Sequence, residues 1–327
     1  MKIFAYALRE YDEQAYFERF CKEAGITYGF TNEYPSLDNV ELARGYEAIT
    51  IITNLMYPEI LDRFYEVGVR YIATRSIGYD HIDLEHAKKL GIRVTHVTYS
   101  PNSVANYTIM MMLMACRKID YIMKKASLKD FGLEGKMGQE LSLSTVGIIG
   151  TGKIGETVIR HLSGFGCRIL AYDLYEKDSV KEFAQYVDLD TLYRESDIVS
   201  LHVPGLPENR HMIGRDAFAK MKDGVILINA ARGMLVNNDD LIDAIGTGKV
   251  GFAALDTFDG EQGLYYLDFE KKPFANQAFC TLSGMSNVML SPHMAFYTDQ
   301  AVSDMVGNAI KGLLAFEKDE RNPFEVL

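Results

Sequence analysis

The sequence predicts an α/β fold with two doubly wound domains, each built around a parallel sheet. Short apolar runs alternate with helical stretches over nearly the whole chain, which is the pattern of repeated strand–helix–strand units. The chain has 327 residues, more than one ordinary core accommodates, so two domains are expected. A glycine-rich turn within residues 147–162 joins an apolar run to a helix, as in the first turn of many such sheets.

The apolar runs predict ten strands. They lie at 2–7, 48–53, 70–75, 92–97, 145–150, 168–173, 197–203, 224–230, 251–256 and 287–292. Helices are predicted between the first strands at 12–24, 58–67 and 83–90, and longer helices at 103–125 and 299–318. This alternation places helices on both faces of each sheet.

Two polar turns mark the expected domain edges. Residues 99–103 (YSPNS) end the first series of strands, and residues 291–298 (SPHMAFYT) end the second. The last helix most simply returns to the first domain. We therefore expect residues 1–100 and 299–327 to form one domain and residues 101–298 to form the other.

Composition excludes several classes of protein. The net charge of −11 argues against binding to nucleic acid, because a phosphate backbone attracts basic proteins. The four cysteines are far apart and have neither metal-binding nor disulfide-type spacing. Charge appears by Arg9, too early for a signal peptide, and the most apolar helical run, 109–116, is too short to span a bilayer. We expect a cytoplasmic protein with no metal site and no membrane partner.

The segment GIIGTGKIGETVIRHL contains the pattern G-x-G-x-x-G at Gly150, Gly152 and Gly155. An apolar strand precedes it and a helix follows, which is the context that the motif needs. Gly150 permits a tight turn, Gly152 lets the backbone approach a pyrophosphate, and Gly155 lets helix and strand pack closely. The phosphates then lie at the helix N-terminus, where N–H groups favour anions. The alternative is a set of glycines that only make turns.

Asp173 ends the next strand, 23 residues after Gly150. A carboxylate at this position suits hydrogen bonds from the ribose hydroxyls of a dinucleotide and repels a 2′-phosphate. No arginine follows in the segment LYEKD. The motif and the acid together predict NAD rather than NADP as the cofactor.

Three polar residues stand just beyond the ends of later strands. Arg232 follows the run GVILINAA, Glu261 follows GFAALDTFDG, and His293 follows NVMLSP. Ligands of open α/β sheets bind outside the carboxyl ends of the strands, so all three could face one crevice. Each also has a plainer interpretation, as a structural ion pair, a solvated loop residue and a core histidine. Together they predict a single site for an anionic substrate.

These segments resemble the signature segments of the D-2-hydroxyacid dehydrogenases. The resemblance rests on NAARG, ALDTFDGE and SPHMAFYT, and it extends over essentially the whole chain. Residues 74–83 (TRSIGYDHID), 99–108 (YSPNSVANYT), 164–173 (GFGCRILAYD) and 196–204 (SDIVSLHVP) are most similar to the D-lactate dehydrogenase branch, including the vancomycin-resistance type. The resemblance implies a Rossmann NAD-binding domain inserted in a flavodoxin-like substrate domain. It also implies a homodimer, with the helix at 103–125 as a candidate contact.

The resemblance implies that Arg232, Glu261 and His293 are the catalytic residues. Reduction of a 2-oxo acid by NADH builds negative charge on the carbonyl oxygen, and His293 as imidazolium can donate a proton to it. Histidine titrates near ~6.5 in model peptides, close to working pH. Glu261 would orient the ring and favour its charged form. Arg232 would hold the substrate carboxylate by a charge-assisted contact and polarise the carbonyl.

Further contacts follow from the same resemblance. Substrate contacts are implied for Ile52, Ile77, Gly78, Tyr99 and Tyr297, beside Arg232. Cofactor contacts are implied, beyond the three glycines, for Lys153, Ile154, Asp173, Val203, Pro204, Asn209, Ala230, Ala231 and Asp256. Asp256 ends its strand and could accept a hydrogen bond from the nicotinamide carboxamide.

Other histidines are weaker candidates for the proton donor. His202 ends a strand and could touch the cofactor, but a supporting role is the simpler expectation. His81 precedes a predicted helix and is expected at the surface or as a cap, and His211 is expected in a loop. None combines a strand end with an acidic partner as His293 does.

Pyruvate, reduced to D-lactate, is the default substrate that the resemblance implies. Ile52 points the other way, because many D-lactate dehydrogenases carry an aromatic residue at this position. The smaller isoleucine would leave room for a branched or aromatic 2-oxo acid, such as 4-methyl-2-oxopentanoate or phenylpyruvate. A few methylenes change discrimination by only ~1–3 kcal/mol, so overlapping substrates are expected.

Functions of other kinds are compatible with the same architecture. An NAD-binding transcriptional corepressor has the same architecture, because one fold can carry different functions. The similarity to the lactate branch and the lack of long tails argue against that function. A phosphorylated substrate, as in phosphoglycerate dehydrogenase, would need a basic cluster in the substrate domain, and none stands out. Glyoxylate or hydroxypyruvate reduction is the remaining alternative within the family.

Overall fold

The computed structural model describes residues 1–327. Packing divides the chain into two compact units: unit 1 contains Met1–Ser100 and Tyr297–Leu327, and unit 2 contains Pro101–Phe296. The chain therefore leaves unit 1 once, forms all of unit 2, and returns. The sequence places the second boundary two residues later, after residue 298.

The strands and helices alternate along both units. The strands are β1 (Lys2–Ala5), β2 (Thr27–Phe30), β3 (Ala48–Ile51), β4 (Tyr71–Thr74), β5 (Arg93–Thr95), β6 (Thr145–Ile149), β7 (Arg168–Tyr172), β8 (Gln185–Tyr186), β9 (Ile198–Leu201), β10 (Val225–Asn229), β11 (Val250–Leu255) and β12 (Val288–Leu290). The α-helices are α1 (Gln14–Ala24), α2 (Pro58–Glu66), α3 (Leu84–Leu90), α4 (Asn102–Cys116), α5 (Ile119–Ser127), α6 (Lys153–Ser163), α7 (Asp178–Lys181), α8 (Leu189–Glu195), α9 (Arg215–Lys220), α10 (Asn238–Gly246), α11 (Gln277–Gly284) and α12 (Asp299–Glu317).

Unit 1 contains a five-stranded parallel sheet in the order β2-β1-β3-β4-β5. This is the flavodoxin-like strand order, so the predicted fold of this unit is confirmed. All four side chains of β3 are buried, as expected for a central strand covered on both faces. Helix α12 packs against α1, β4 and β5, so the end of the chain completes unit 1.

Unit 2 contains a seven-stranded parallel sheet in the order β12-β11-β10-β9-β6-β7-β8. Counted from β6, the first six strands have the 3-2-1-4-5-6 order of a Rossmann fold, and β12 adds a strand at one edge. The strand order reverses between β6 and β9, which is where such sheets bind their ligands. The predicted Rossmann fold is therefore confirmed.

The single helix predicted at 103–125 is wrong, because the structure has two helices there, α4 and α5. Lys118 lies between them with a φ of 50°, a left-handed conformation that ends regular helical hydrogen bonding. The apolar run that produced the pattern ends at Cys116, and α5 has no fully buried side chain. The helical spacing of apolar residues therefore continues in the sequence beyond Cys116, although the side chains of α5 are no longer fully buried.

Strands β2 and β8 are absent from the sequence-based prediction. Both pair with only one neighbour, at the edges of their sheets. β2 (TYGF) has no fully buried residue, and β8 has only two residues. Short edge strands lack the continuous apolar run that marks a buried strand. Among the helices, none has both the length and the hydropathy needed to cross a membrane.

Candidate active site

The predicted catalytic and cofactor-binding residues of unit 2 follow the carboxyl ends of its strands. Gly150 follows β6, Arg232 follows β10, Asp256 follows β11 directly, and His293 follows β12. The carboxyl ends of parallel strands lie along one edge of a sheet, so these residues share that edge. Glu261 lies in the turn that follows Asp256.

His293 and Glu261 are in direct contact. Nδ1 of His293 lies 2.8 Å from Oε1 of Glu261, and each side chain is about one-fifth exposed, 21% and 20%. The second oxygen of Glu261 accepts a hydrogen bond from the backbone N–H of Phe258 at 3.0 Å. An ionised carboxylate only accepts hydrogen bonds, so Nδ1 carries the hydrogen in this contact. The other ring nitrogen, Nε2, is left to act on a ligand.

The backbone of His293 is held in an unusual conformation. Its φ is 54°, in the left-handed region that a residue with a side chain rarely adopts. The N–H of His293 donates to the carbonyl oxygens of Asp256 at 2.8 Å and Ser291 at 2.9 Å, and the Tyr266 hydroxyl donates to the His293 carbonyl at 3.0 Å. Such a conformation persists where its surroundings fix it, and it is concentrated at functional sites.

Asp256 is fully buried and holds the segment that carries His293. Its Oδ1 accepts hydrogen bonds from the Ser291 hydroxyl at 2.6 Å and the Met294 N–H at 2.8 Å, and its Oδ2 accepts from the Ala295 N–H at 2.9 Å. Burial raises the pKa of Asp256, although these hydrogen bonds oppose the rise. A carboxylate has about four acceptor positions, so one remains on Oδ2. A contact of Asp256 with the cofactor stays a prediction.

Arg232 lies in a half-buried segment that packs on the turn of Glu261. Its carbonyl accepts from the Asn229 side chain at 2.9 Å, and its Nη1 donates to the Ala231 carbonyl at 2.8 Å. A Cβ atom added to Gly233 would lie 2.1 Å from the carbonyl carbon of Phe258. No side chain fits there, so the backbone after Arg232 and the backbone before Glu261 are in contact.

The three glycines of the motif have three different surroundings. Gly150 has a φ of 98°, and an added Cβ would lie 2.6 Å from the carbonyl carbon of His202. An added Cβ on Gly155 would lie 2.0 Å from the carbonyl oxygen of Gly150, whereas one on Gly152 meets nothing within 4 Å. Gly150 and Gly155 are therefore required by the turn and by helix packing. The open space at Gly152, which caps α6, fits the approach of a pyrophosphate.

Asp173 lies beside the glycine loop. Its Oδ2 accepts from the N–H of Thr151 at 2.6 Å and from the Thr151 hydroxyl at 3.1 Å, and its Oδ1 accepts from the Tyr175 N–H at 3.0 Å. Burial acts to raise the pKa of Asp173, but these hydrogen bonds outweigh it and lower the pKa. The group is therefore ionised at neutral pH and suited to accept from ribose hydroxyls.

The other predicted cofactor residues lie on the same edge of the sheet. Lys153 and Ile154 begin α6, and Asn209 donates a hydrogen bond to the Pro204 carbonyl at 3.0 Å. Val203 and Pro204 follow β9, and Ala230 and Ala231 follow β10. The predicted cofactor residues thus lie at the carboxyl ends of β6, β7, β9, β10 and β11, and their contacts with NAD stay predictions.

The surroundings of the other candidate proton donors, His202 and His81, distinguish them from His293. His202 Nε2 lies 2.9 Å from the Ser200 hydroxyl, and burial lowers the pKa of His202 to about 4, so the ring stays neutral. The expectation that His81 lies at the surface or caps a helix is wrong. It is only 9% exposed and contacts the Thr74 hydroxyl at 3.0 Å. The bridge between Met56 and Ile82 lies next to His81, and this contact between residues far apart in sequence is not visible in the local sequence.

The remaining predicted substrate residues belong to unit 1. Ile52 follows β3 and is 7% exposed. Ile77 and Gly78 follow β4, where the Ser76 hydroxyl donates to the Gly78 carbonyl at 2.6 Å and His96 Nδ1 lies 3.1 Å from the Ile77 carbonyl. Tyr99 is half-buried near the end of the first segment.

Tyr297, the first residue after the return to unit 1, is 37% exposed. The Arg9 guanidinium lies 5.8 Å from the centre of its ring. These substrate contacts in unit 1 stay predictions. No group of three or more histidine, cysteine or acidic side chains is arranged to hold a metal ion.

Comparison with known proteins supports the same assignment. The family described as D-isomer specific 2-hydroxyacid dehydrogenase, NAD binding domain, matches residues 109–295. An aromatic 2-oxoacid reductase of Clostridium sporogenes is 41% identical over 320 residues, covering 97% of this chain and 96% of the relative. A D-lactate dehydrogenase of Lactiplantibacillus plantarum is 38% identical over 310 residues, covering 94% and 93%. The solved structure of a D-2-hydroxyisocaproate dehydrogenase superimposes with a TM-score of 0.89 at 34% identity, covering 100% and 99%.

The glycine loop, the ionised Asp173 and the family match agree on the cofactor, which is NAD. The predicted resemblance is confirmed over nearly the whole length of the chain. The protein belongs to the D-isomer specific 2-hydroxyacid dehydrogenase family and is an NAD-dependent D-2-hydroxyacid dehydrogenase.

Proposed function

We propose that this dehydrogenase reduces a 2-oxo acid to the D-2-hydroxy acid with His293 as the proton donor. The observation that carries the proposal is the 2.8 Å contact between His293 Nδ1 and Glu261 Oε1. Glu261 accepts a hydrogen bond from Nδ1 and orients the ring, so that Nε2 of the imidazolium can donate a proton to the carbonyl oxygen. When bound, NADH supplies the hydride that reduces the carbonyl carbon.

Arg232 is proposed to hold the substrate. A 2-oxo acid carries a carboxylate beside its reacting carbonyl, and a guanidinium can bind a carboxylate with two parallel hydrogen bonds. The positive charge also offsets the negative charge that develops on the carbonyl oxygen. His293 returns to the neutral form with the hydrogen still on Nδ1, which Glu261 continues to accept. In the reverse direction the same nitrogen, Nε2, takes the proton from the hydroxyl.

For the substrate, we propose that a branched or aromatic 2-oxo acid is preferred over pyruvate. Isoleucine at position 52 supports this, because it occupies less space than an aromatic side chain. The similarity to a reductase of aromatic 2-oxo acids also supports it. The default from the sequence, pyruvate to D-lactate, is supported by a relative of nearly equal identity. A pocket difference of this size corresponds to about 10–200-fold in kcat/KM.

The test is NADH oxidation with pyruvate, 2-oxobutyrate, 4-methyl-2-oxopentanoate, phenylpyruvate and oxaloacetate, with the chirality of each product determined. We expect D-products and the highest kcat/KM with phenylpyruvate or 4-methyl-2-oxopentanoate. The variant Ile52→Tyr should then shift the preference towards pyruvate. A wild-type preference for pyruvate would leave the reaction in place and refute the proposed specificity. A lack of turnover on all five acids would refute the proposed reaction and favour a corepressor-like role.

We also propose that two copies associate through unit 2. The segment after α4 carries six large apolar side chains that are 64–88% exposed: Met123, Leu128, Phe131, Leu133, Met137 and Leu143. A mainly apolar groove lies nearby between α4 and α6; its lining includes Ile109, Met110, Leu113, Met114, Ile119 and Phe165, together with the polar Asn106, Arg117 and His161. An apolar segment and an apolar groove on one surface can pair reciprocally in a twofold dimer.

Sedimentation of the purified protein tests this association. We expect a dimer, and a monomer for the double variant Phe131→Asp with Leu133→Asp. The matched control is Leu42→Asp, which places the same charge on an exposed leucine of unit 1 and should leave the dimer intact. A monomeric wild-type protein would refute the proposal. The cytoplasmic location stays a prediction from the sequence.

A further inference from the structure

We propose that His211 is a positioning residue that holds the turn of Glu261 through Asp259 and thereby fixes the proton donor His293. Nε2 of His211 lies 2.9 Å from Oδ2 of Asp259. His211 touches neither Glu261 nor His293 in this network, so it acts through the turn. The inference rests on the proposed function, because it assigns a role within that reaction.

Asp259 is part of a closed turn that ends at Glu261. The N–H of Glu261 donates to the Phe258 carbonyl at 3.1 Å, and Oε2 of Glu261 accepts from the Phe258 N–H at 3.0 Å. Asp259 lies between these two residues, inside the ring that the hydrogen bonds close. A displacement of Asp259 therefore displaces the Glu261 carboxylate, and with it the acceptor for His293 Nδ1.

His211 is anchored on its other side to the segment that follows Arg232. Its N–H donates to the Met234 carbonyl at 2.8 Å, and its Nδ1 lies 3.3 Å from the Asn237 side-chain nitrogen. His211 thus joins the segment after Arg232 to the turn of Glu261. It fixes the spacing between two of the proposed catalytic residues.

The hydrogen bonds around His211 define its tautomer. Oδ1 of Asn237 accepts from the Asp240 N–H at 3.0 Å as the N-cap of α10, so the amide nitrogen of Asn237 faces His211. That nitrogen donates to His211 Nδ1, which therefore accepts. The ring hydrogen then lies on Nε2 and is donated to Asp259. The contact is directional and does not require a charged histidine.

Two neighbouring groups support the same arrangement. Nη2 of Arg210 lies 3.2 Å from the Asp259 oxygen that His211 contacts, and Asn238 donates to the Asp259 carbonyl at 3.0 Å. The backbone of His211 has a φ of 54°, which persists only where surrounding contacts fix it. His211 therefore has a fixed backbone and contacts both the turn of Glu261 and the segment after Arg232, unlike a loop residue that is surrounded by solvent.

The first test is the kinetics of His211→Ala with the best 2-oxo acid. A small displacement of a catalytic group reduces the rate, so we expect kcat to fall about tenfold or more while NADH affinity changes little. His211→Gln places an amide N–H near the position of Nε2 and should restore most of kcat. Equal kcat values for wild type and His211→Ala would overturn the proposal.

The chain offers a matched control in unit 1. His86 Nε2 lies 2.8 Å from Asp62 Oδ1, so it forms the same kind of pair at nearly the same distance, with a histidine exposure of 23% against 33% for His211. His86→Ala should leave kcat at the wild-type value. If both alanine variants lose the same fraction of kcat, the effect is general destabilisation and the proposal is wrong.

A double-variant cycle tests whether His211 and Asp259 act through their contact. We expect the double variant His211→Ala with Asp259→Ala to lose no more kcat than the larger of the two single losses. Multiplicative losses would mean that the two residues act independently, which contradicts the proposal.

The NMR signal of the His293 Nδ1 proton gives a readout that needs no turnover. A proton shared with a carboxylate resonates far downfield, and we expect this signal to shift or broaden in His211→Ala but not in His86→Ala. An unchanged signal would overturn the positioning role. If the wild-type protein reduces no 2-oxo acid, the proposed function fails, and this signal alone decides whether His211 positions the pair.

Discussion

An arginine ends an apolar strand in each unit, and the two arginines have different surroundings. Arg75 follows β4 in unit 1, and its side chain forms a fully buried ion pair with Glu13, at 2.9 Å and with 0% exposure of both side chains. Arg232 follows β10 in unit 2 and shares its sheet edge with the pair of Glu261 and His293, which remain about one-fifth exposed.

The two ion pairs, Arg75 with Glu13 and His293 with Glu261, differ in how many of their nitrogen atoms already have a hydrogen-bond partner within the protein. Nη1 of Arg75 donates to the Thr50 hydroxyl, and Nη2 donates to the carbonyls of Tyr6 and Ala7. Such a pair binds nothing else, because all three nitrogen atoms of the guanidinium have partners. The pair in unit 2 leaves one ring nitrogen of His293 for a ligand. Removing one partner of the closed pair, Arg75 with Glu13, leaves a buried charge without its partner, whereas the open pair, His293 with Glu261, keeps a ring nitrogen available for chemistry.

The largest expected effect on activity comes from removing the open pair. His293→Asn should lower kcat by about 10²–10⁴-fold, because general acid catalysis contributes on that scale. Asparagine tolerates the left-handed backbone at this position, so the variant should stay folded at the assay temperature. Steady-state kinetics and thermal unfolding of one preparation measure both. A kcat close to the wild-type value would exclude His293 as the proton donor.

The closed pair should show the opposite behaviour. Glu13→Gln removes one partner of a buried ion pair and should lower the free energy of unfolding by about 3–5 kcal/mol. Activity at a temperature where the variant stays folded should change little. Urea unfolding provides the measurement, with Glu261→Gln as the control that should lose far less stability. Equal losses in the two variants would erase the distinction between the pairs.

Glu261→Gln should affect activity less than His293→Asn does. The single amide oxygen can accept from His293 Nδ1 or from the Phe258 N–H but not from both, and the charge of the acceptor is lost, so we expect kcat/KM to fall roughly 10–100-fold. The measurement is kcat/KM across pH with the preferred 2-oxo acid. If the variant matches wild type at every pH, Glu261 has no part in the reaction.

The smallest expected effect is the pH dependence of stability. Burial acts to raise the pKa of Glu13, but the charges of Arg75 and Arg9 outweigh it, and the pKa is lowered in the folded protein. A lowered pKa contributes stability above the unfolded value of about 4.3 and loses it as the pH falls through the folded value. The stability difference between wild type and Glu13→Gln should therefore shrink below about pH 4.3. A difference that stays constant in acid would contradict the pKa direction.

The fold and the glycine loop could be predicted because their signals are local. Gly150, Gly152 and Gly155 each have a role set by neighbours a few residues away, and the strand–helix alternation is visible in any short window. The break between α4 and α5 could not be predicted. The left-handed backbone of Lys118 depends on where burial ends, and lysine carries no signal for it.

The network around the site could be predicted only in part. His293 and Glu261 were suggested by their positions after strands, and the structure brings them together. Arg75 has the same sequence signature as Arg232, and only burial separates a structural arginine from a candidate binding residue. The contact of His211 with Asp259 joins residues 48 positions apart, so no local pattern reveals it.

Unit 2 is one continuous stretch of chain, whereas unit 1 is interrupted and needs α12 to cover β4 and β5. Beyond α12, Asn322 donates to the Thr95 hydroxyl and Glu325 forms an ion pair with Arg93. Strand β5 therefore also needs the residues after α12 to complete its contacts. A ribosome delivers every residue of unit 2 before it delivers that cover. During synthesis the second unit can thus fold first, while unit 1, which is begun earlier, keeps an apolar face exposed to chaperones until α12 has been made.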